Sequence, residues 1–103
     1  MEKIFLSKGN AKEIFETLCK EYSHRFQRLS ENEFIFVYKY WDSVGDIYNA
    51  DIYLRIASNN KTIFVYVRKQ SFIKEVLNCF DYIVDDIIIL LRDFIREIGG
   101  EVE

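Results

Sequence analysis

The stretch from Asp51 to Arg68 constrains the fold most, because it predicts a β-hairpin whose register can be counted outward from a Ser58–Lys61 pair. Asn59-Asn60 is the turn signal, since asparagine tolerates the positive φ angles that a two-residue type I′ turn requires. One face is then wholly aliphatic and pairs Ile56 with Ile63, Leu54 with Val65, and Ile52 with Val67. The other is largely aromatic and pairs Ala57 with Thr62, Arg55 with Phe64, Tyr53 with Tyr66, and Asp51 with Arg68. A slip of one residue would mix the two faces, so the pattern selects this register.

The preceding segment, Glu33–Trp41, predicts a long strand because it is rich in aromatic and β-branched residues. Residues 42–46 contain a glycine and have a length suited to a hairpin connection. If Trp41 pairs with Ile47 across this loop, Phe36 lies opposite Ile52 and Phe34 opposite Leu54, and these last two pairs extend the aliphatic face. The three strands therefore agree on which face belongs to the core.

Two amphipathic helices are expected to flank these strands in the sequence. Asn10 predicts an N-cap and Glu13 completes a capping-box pattern, after which apolar residues follow at helical spacing over residues 11–22. Beyond the hairpin, apolar residues again recur at intervals of three and four, which predicts a long helix over residues 74–98. Gly99-Gly100 ends that pattern, as a C-cap does.

Short strands at Lys3–Leu6 and Arg25–Leu29 complete the element order β-α-β-β-β-β-α. This order predicts the α+β class, with an antiparallel four- to five-stranded β-meander packed against a long C-terminal helix and a short N-terminal amphipathic helix. We expect a single domain over residues 1–103, because half of the residues are hydrophobic and no proline-rich or low-complexity linker occurs. The order is similar to that of helix-grip domains, in which a curved sheet wraps a C-terminal helix. The likeness is one of topology, so no ligand or activity follows from it.

The two cysteines, Cys19 and Cys79, lie within apolar patterns, which favours reduced core residues of a cytoplasmic protein. Whether the two form a disulfide is left undecided, because their spacing in the sequence does not determine the distance between them. The residues after Met1 do not form a signal-peptide pattern. The longest aliphatic run, Ile87–Leu91, is far shorter than the ~20 residues of a transmembrane helix.

No group of residues predicts catalysis, a metal site or a cofactor. His24 is the single histidine, so a catalytic triad or a zinc site lacks its usual partners. Asp81 and Asp85 share a helix face, as a pair of magnesium ligands would, and Asp86 lies beside them. Two arginines follow later on nearly the same face, and early acids with late bases complement the helix dipole, so we interpret the aspartates as solvated. We therefore expect a protein that is not an enzyme.

The aromatic face of the sheet is the candidate functional surface, because it is too apolar for a plain solvent face. Its candidate binding residues are Trp41, Tyr53, Arg55, Phe64, Tyr66 and Arg68. Three interpretations are open. In the first, the N-terminal helix covers this face and no site results. In the second, both helices cover the aliphatic face and leave the aromatic face for a protein partner or a second copy. In the third, its aromatic rings and arginines stack single-stranded nucleic acid.

The functional hypothesis is a small, non-catalytic, cytoplasmic module that binds a protein partner or forms a homodimer. Acidic domains of this size often act as inhibitors, as immunity proteins and phage anti-defence proteins do, so inhibition of another protein is its more specific form. Single-stranded nucleic acid is the first alternative, although a net charge of −3 argues against it. The second alternative is a small ligand held between the long helix and the sheet. The hypothesis includes no cofactor, metal or membrane.

Overall fold

The computed structural model describes residues 1–41, 44–69, 72 and 78–103. The elements in this part of the chain are β1 (Glu2–Lys8), α1 (Ala11–Glu21), β2 (Phe26–Arg28), β3 (Glu33–Trp41), β4 (Ile47–Ile56), β5 (Thr62–Tyr66), α2 (Phe80–Glu97) and β6 (Glu101–Val102). The α+β class is confirmed, and β2 to β5 form an antiparallel meander. The full sheet has the order β2-β3-β4-β5-β1-β6, so β1 lies between β5 and a short sixth strand that was not predicted.

The strand registers that were predicted from the sequence are confirmed wherever the structure pairs the strands. These contain the predicted pairs Phe34 with Leu54, Phe36 with Ile52, Trp41 with Ile47, Tyr53 with Tyr66, Leu54 with Val65, Arg55 with Phe64, and Ile56 with Ile63. Strand β5 ends at Tyr66, however, so the outermost predicted pairs lie beyond the ladder. Those pairs are Ile52 with Val67 and Asp51 with Arg68.

The prediction of a two-residue type I′ turn at Asn59-Asn60 is wrong. Such a turn needs positive φ at both residues, and of the two only Asn60 has a positive φ, of 56°. The amide of Asn60 donates to the carbonyl of Ala57 at 3.0 Å, so the chain reverses one residue earlier. The Oδ1 atom of Asn59 accepts hydrogen bonds from the amides of Lys61 and Thr62. The register is unchanged because the amide of Ala57 still donates to the carbonyl of Thr62.

Helix α1 begins where the sequence predicts, because Asn10 caps it. The Asn10 side chain accepts a hydrogen bond from the amide of Glu13 at 3.1 Å. The buried residues of the helix belong to the predicted stripe and are Ala11, Ile14, Phe15 and Leu18. The ring of Phe15 packs against those of Phe26 and Phe34, with centroids 5.9 and 5.6 Å away. Since Phe34 belongs to the aliphatic face, α1 lies on that face.

Helix α2 covers the same face of the sheet. Its buried residues recur every four positions and are Ile83, Ile87, Leu91 and Ile95. The ring of Phe94 contacts Phe36 of β3, with centroids 5.9 Å apart, and Phe26 of β2, with centroids 5.1 Å apart. Both helices therefore enclose one hydrophobic core with the aliphatic face.

The two ends of α2 differ in how well they were predicted. The helix begins at Phe80, and the first residues of the predicted helix, 74–77, lie outside the described residues. Its C-terminal end agrees with the glycine signal. Gly99 adopts a φ of 97°, which L side chains rarely adopt, and the amide of Gly100 donates to the carbonyl of Ile95.

Arg25 ends the ladder between β2 and β3. Its carbonyl accepts a hydrogen bond from the amide of Val37 at 2.8 Å, and its Nε donates to the carbonyl of Val37 at 2.9 Å. Its guanidinium carbon lies 5.2 Å from the ring centroid of Phe36 and 5.6 Å from that of Phe94, and burial lowers the pKa of Arg25. One side chain thus completes the backbone bonding of β3 and packs against the core.

Candidate functional site

The sheet face turned away from both helices, here called the outer face, is the candidate site. Its members alternate along each strand with the residues that face the helices. They are Lys3 and Phe5 on β1, Gln27 on β2, Glu33, Ile35, Val37, Lys39 and Trp41 on β3, Ile47, Asn49, Asp51, Tyr53 and Arg55 on β4, and Thr62, Phe64 and Tyr66 on β5. Because both helices bury their apolar residues on the opposite face, the interpretation in which the first helix covers the outer face is wrong.

A row of tyrosines crosses the centre of the outer face. Ile35, Tyr53 and Tyr66 are cross-strand neighbours, and the two tyrosine rings lie 5.2 Å apart at an interplanar angle of 54°. The hydroxyl of Tyr53 donates to the carboxylate of Glu33, which also accepts from the hydroxyl of Ser30 at 2.6 Å. These hydrogen bonds lower the pKa of Glu33, and the bond to Glu33 raises the pKa of Tyr53. The Tyr53 ring is therefore held at both its face and its hydroxyl.

The next row places two cations on either side of Phe64. The registers align Arg55 of β4, Phe64 of β5 and Lys3 of β1 as successive neighbours. The guanidinium carbon of Arg55 lies 4.5 Å from the ring centroid of Phe64, and the Lys3 ammonium lies 5.6 Å from it. Arg55 also donates from Nη2 to the hydroxyl of Tyr66 at 3.4 Å. This contact joins the Phe64 row to the tyrosine row.

The far end of the outer face is apolar and exposed. Trp41 and Ile47 are directly paired there, and 66% and 59% of their respective surfaces are exposed. Trp41 lies six residues along β3 from Ile35, which corresponds to ~20 Å at about 3.4 Å per residue. The outer face thus has two separate parts: a polar aromatic centre and an apolar tip on the β3–β4 hairpin.

The predicted binding residues do not all lie together in the structure. Tyr53, Arg55, Phe64 and Tyr66 form one contiguous group. Trp41 lies on the same face but at its remote tip. Arg68 is exposed and lies two residues beyond the end of β5, outside the ladder that was expected to pair it with Asp51.

The outer-face residues Lys3 and Phe5 were not among the predicted binding residues. Both belong to β1, whose place beside β5 depends on pairing between distant parts of the chain. Alternation in the N-terminal strand could have indicated them, since Ile4 and Leu6 are buried while Phe5 is exposed. That pattern does not reveal which strand β1 joins.

The other candidate residues do not assemble a catalytic or metal site. His24 lies exposed in the turn between α1 and β2. Asp81 and Asp85 are exposed, as predicted, but the solvated-face interpretation is wrong for Asp86, which accepts a hydrogen bond from the Tyr38 hydroxyl. Among the described residues, no group of three or more His, Cys, Asp or Glu side chains is placed to hold a metal ion.

Both cysteines are free, and their positions differ from the prediction. Cys19 is partly buried on α1, and burial raises the pKa of its thiol. Cys79 is exposed immediately before α2, so its assignment to the core is wrong. The apolar residues that follow Cys79 belong to α2, which begins one residue later, whereas Cys79 itself precedes the helix.

The helix–sheet interface is filled where the structure describes it. Ile52, Leu54, Ile87 and Leu91, which line it, are buried almost completely. Surface depressions formed by described residues open elsewhere, one between the start of α1 and Gly99-Gly100 and another around Lys69 at the start of α2. In the described part of the chain, neither helix has the length and apolar character needed to cross a membrane.

Comparisons of the chain with protein-family models, with curated proteins and with solved structures found no match in any of the three.

Proposed function

We propose that this chain is a small, non-catalytic module that binds another protein through the outer face. The observation that carries the proposal is the placement of both helices on the aliphatic face, which leaves the aromatic face to solvent. Large exposed hydrophobic residues belong to this face in three places, at Phe5, Trp41 and Ile47. Trp41 and Ile47 are directly paired and form one contiguous exposed apolar patch, and patches of this kind mark interaction sites in monomeric proteins.

The chemistry of the centre supports a protein partner. Tyrosine and arginine are enriched among the residues that dominate binding energy at protein interfaces. Tyr53 is held by Glu33 and Tyr66, while Arg55 is held against Phe64, so these side chains lose little conformational freedom when a partner arrives. A preorganised aromatic centre of this type favours a specific partner over non-specific adhesion.

Inhibition of the partner is the more specific form of the proposal. A module that covers a surface of an enzyme or receptor needs a rigid face and no chemistry of its own. The sheet supplies such a face, since its centre lies on three consecutively paired strands, β3, β4 and β5. A second copy of this chain is the other protein partner that the outer face could bind, and we place either complex in the cytoplasm.

The single-stranded nucleic-acid alternative uses the same residues and makes a different prediction. It requires binding that weakens steeply with salt and depends on the outer-face cations. The outer face, however, also carries the carboxylates of Glu33 and Asp51, which would oppose a continuous phosphate backbone. The filled interface between α2 and the sheet gives no support to the small-ligand alternative.

The test is a double substitution, Tyr53→Ala with Tyr66→Ala, which removes the tyrosine row. We expect the variant to keep the far-ultraviolet circular dichroism of the wild-type protein while losing self-association in light scattering, or losing capture of a partner from the native host. The matched control is Tyr82→Ala, because Tyr82 is a tyrosine on α2 that is 77% exposed and distant from the outer face. If the double variant unfolds, or if the control loses binding equally, the outer face is not the binding surface.

A further inference from the structure

The charges of the described residues are unevenly distributed between the two sides of the molecule. The outer face carries three cations, Lys3, Lys39 and Arg55, against two carboxylates, Glu33 and Asp51. The exposed residues of α2, on the opposite side, carry four carboxylates against one arginine, and these are Asp81, Asp85, Asp93, Glu97 and Arg96. An overall acidic chain thus presents a locally basic surface where its aromatic residues are exposed.

The cations beside Phe64 retain donors that a partner could use. Arg55 has five N–H donors in a planar fork, and its one hydrogen bond among the described residues is the 3.4 Å contact with Tyr66. The contact of the Lys3 ammonium is with the face of Phe64. Glu33, the β3 neighbour of Arg55, directs its carboxylate oxygens to the hydroxyls of Ser30 and Tyr53 instead.

We infer that the outer face binds an acidic segment of its protein partner, with carboxylates at Lys3 and Arg55 and apolar contacts on Phe64. This inference rests on the proposed function and adds the chemistry of the partner to it. Opposite charges across an interface steer encounter and set the register of the complex. A protein segment can place carboxylates at the two cations, while Asp51 lies opposite Val37, beyond the tyrosine row and away from Phe64.

The probe for this inference is a synthetic hexaglutamate peptide, titrated into isotopically labelled protein and followed by amide chemical shifts. We expect the largest shifts at Lys3, Arg55 and Phe64, and weaker binding as salt is raised. Lys3→Gln with Arg55→Gln should lower the affinity for the peptide about fivefold or more, as the loss of charge pairs at a surface predicts. If the double variant is destabilised, the affinity of Lys3→Gln alone is measured instead, because Lys3 is exposed.

The matched control is Lys20→Gln with Arg96→Gln, which removes the same charge from exposed positions on the helical side. The inference is overturned if this control weakens hexaglutamate binding as much, or if the peptide shifts no outer-face amide. Stronger binding of the single strand (dT)6 than of hexaglutamate would instead assign the face to nucleic acid. If hexaglutamate fails while the Tyr53 and Tyr66 variant still abolishes partner binding, the acidic chemistry is wrong and the proposed function stands.

Discussion

The hydroxyl of Tyr38 donates a hydrogen bond of 2.6 Å to the carboxylate of Asp86 and so joins β3 directly to α2. Tyr38 is 4% exposed, whereas Asp86 is partly exposed. The bond crosses the core near the β3–β4 hairpin, where Tyr38 also stacks on Tyr40 with ring centroids 5.8 Å apart. Asp86 therefore has a structural role, as the acceptor of this hydrogen bond in the acidic stretch of α2.

Replacement of Tyr38 by phenylalanine should destabilise the fold. The ring would keep its packing, but the Asp86 carboxylate would lose a donor in a partly buried position. Loss of a hydrogen bond to a charged group predicts a decrease of about 1–3 kcal/mol in the free energy of unfolding, measured by urea denaturation. Tyr82→Phe is the control, because its exposed hydroxyl predicts a change within about 0.5 kcal/mol. Equal effects of the two substitutions would show that the Tyr38–Asp86 bond contributes nothing specific.

The same contact predicts how stability changes at alkaline pH. Burial first, and then the hydrogen bond to Asp86, raise the pKa of Tyr38 well above its usual value. A raised pKa means that the folded protein holds the proton more tightly. The resulting stabilisation is complete below the pKa of a tyrosine in the unfolded chain, which is about 10. It is lost as the pH rises from there toward the pKa of Tyr38 in the folded protein.

Absorbance titration of the tyrosines, with unfolding followed in parallel, measures this effect. In the wild-type protein, we expect one tyrosine to ionise at a higher pH than the others. That last step of the titration should be absent from Tyr38→Phe. The stability of Tyr38→Phe should also decline less above about pH 10 than that of the wild type. Identical titration curves for the two proteins would contradict the raised pKa of Tyr38.

The two cysteines should react at different rates with a thiol-specific reagent at neutral pH. Cys79 is exposed before α2, whereas Cys19 is partly buried and its pKa is raised by that burial, so less of it is present as the reactive thiolate. Ellman's reagent should therefore show a fast and a slow phase. Cys79→Ser should remove the fast phase and Cys19→Ser the slow one. Loss of the slow phase in Cys79→Ser would reverse the assignment.

Local signals predicted much of the fold because neighbouring segments determine it. The register of β4 with β5 follows from the alternation of Leu54 and Ile56 against Val65 and Ile63, and no distant part of the chain is needed to set it. The start of α1 depends on Asn10, whose side chain bonds within the same turn. These predictions use contacts between residues close in sequence or joined by one turn.

The errors arose where tertiary contacts decide the outcome. The position of β1 between β5 and β6 requires pairing of residues at the two ends of the described chain, such as Leu6 with Val102. The role of Asp86 depends on Tyr38, which lies on another element. Lys3 was missing from the candidate site for the same reason, since its contact with Phe64 follows from the placement of β1. Side-chain periodicity alone contains no information about these distances.

The position of β1 also determines the order in which the protein can fold during synthesis. Residues 2–8 leave the ribosome before the strands that they pair with, so their pairing with β5 must wait for residues 62–66 and their pairing with β6 for residues 101–102. Contacts so distant in sequence slow folding, because the intervening chain must lose its entropy before they form. Until α2 has emerged, α1 is the one helix of the described chain that can cover the aliphatic face of the nascent sheet. The contact of Lys3 with Phe64 on the outer face therefore requires that β3, β4 and β5 have already been synthesised.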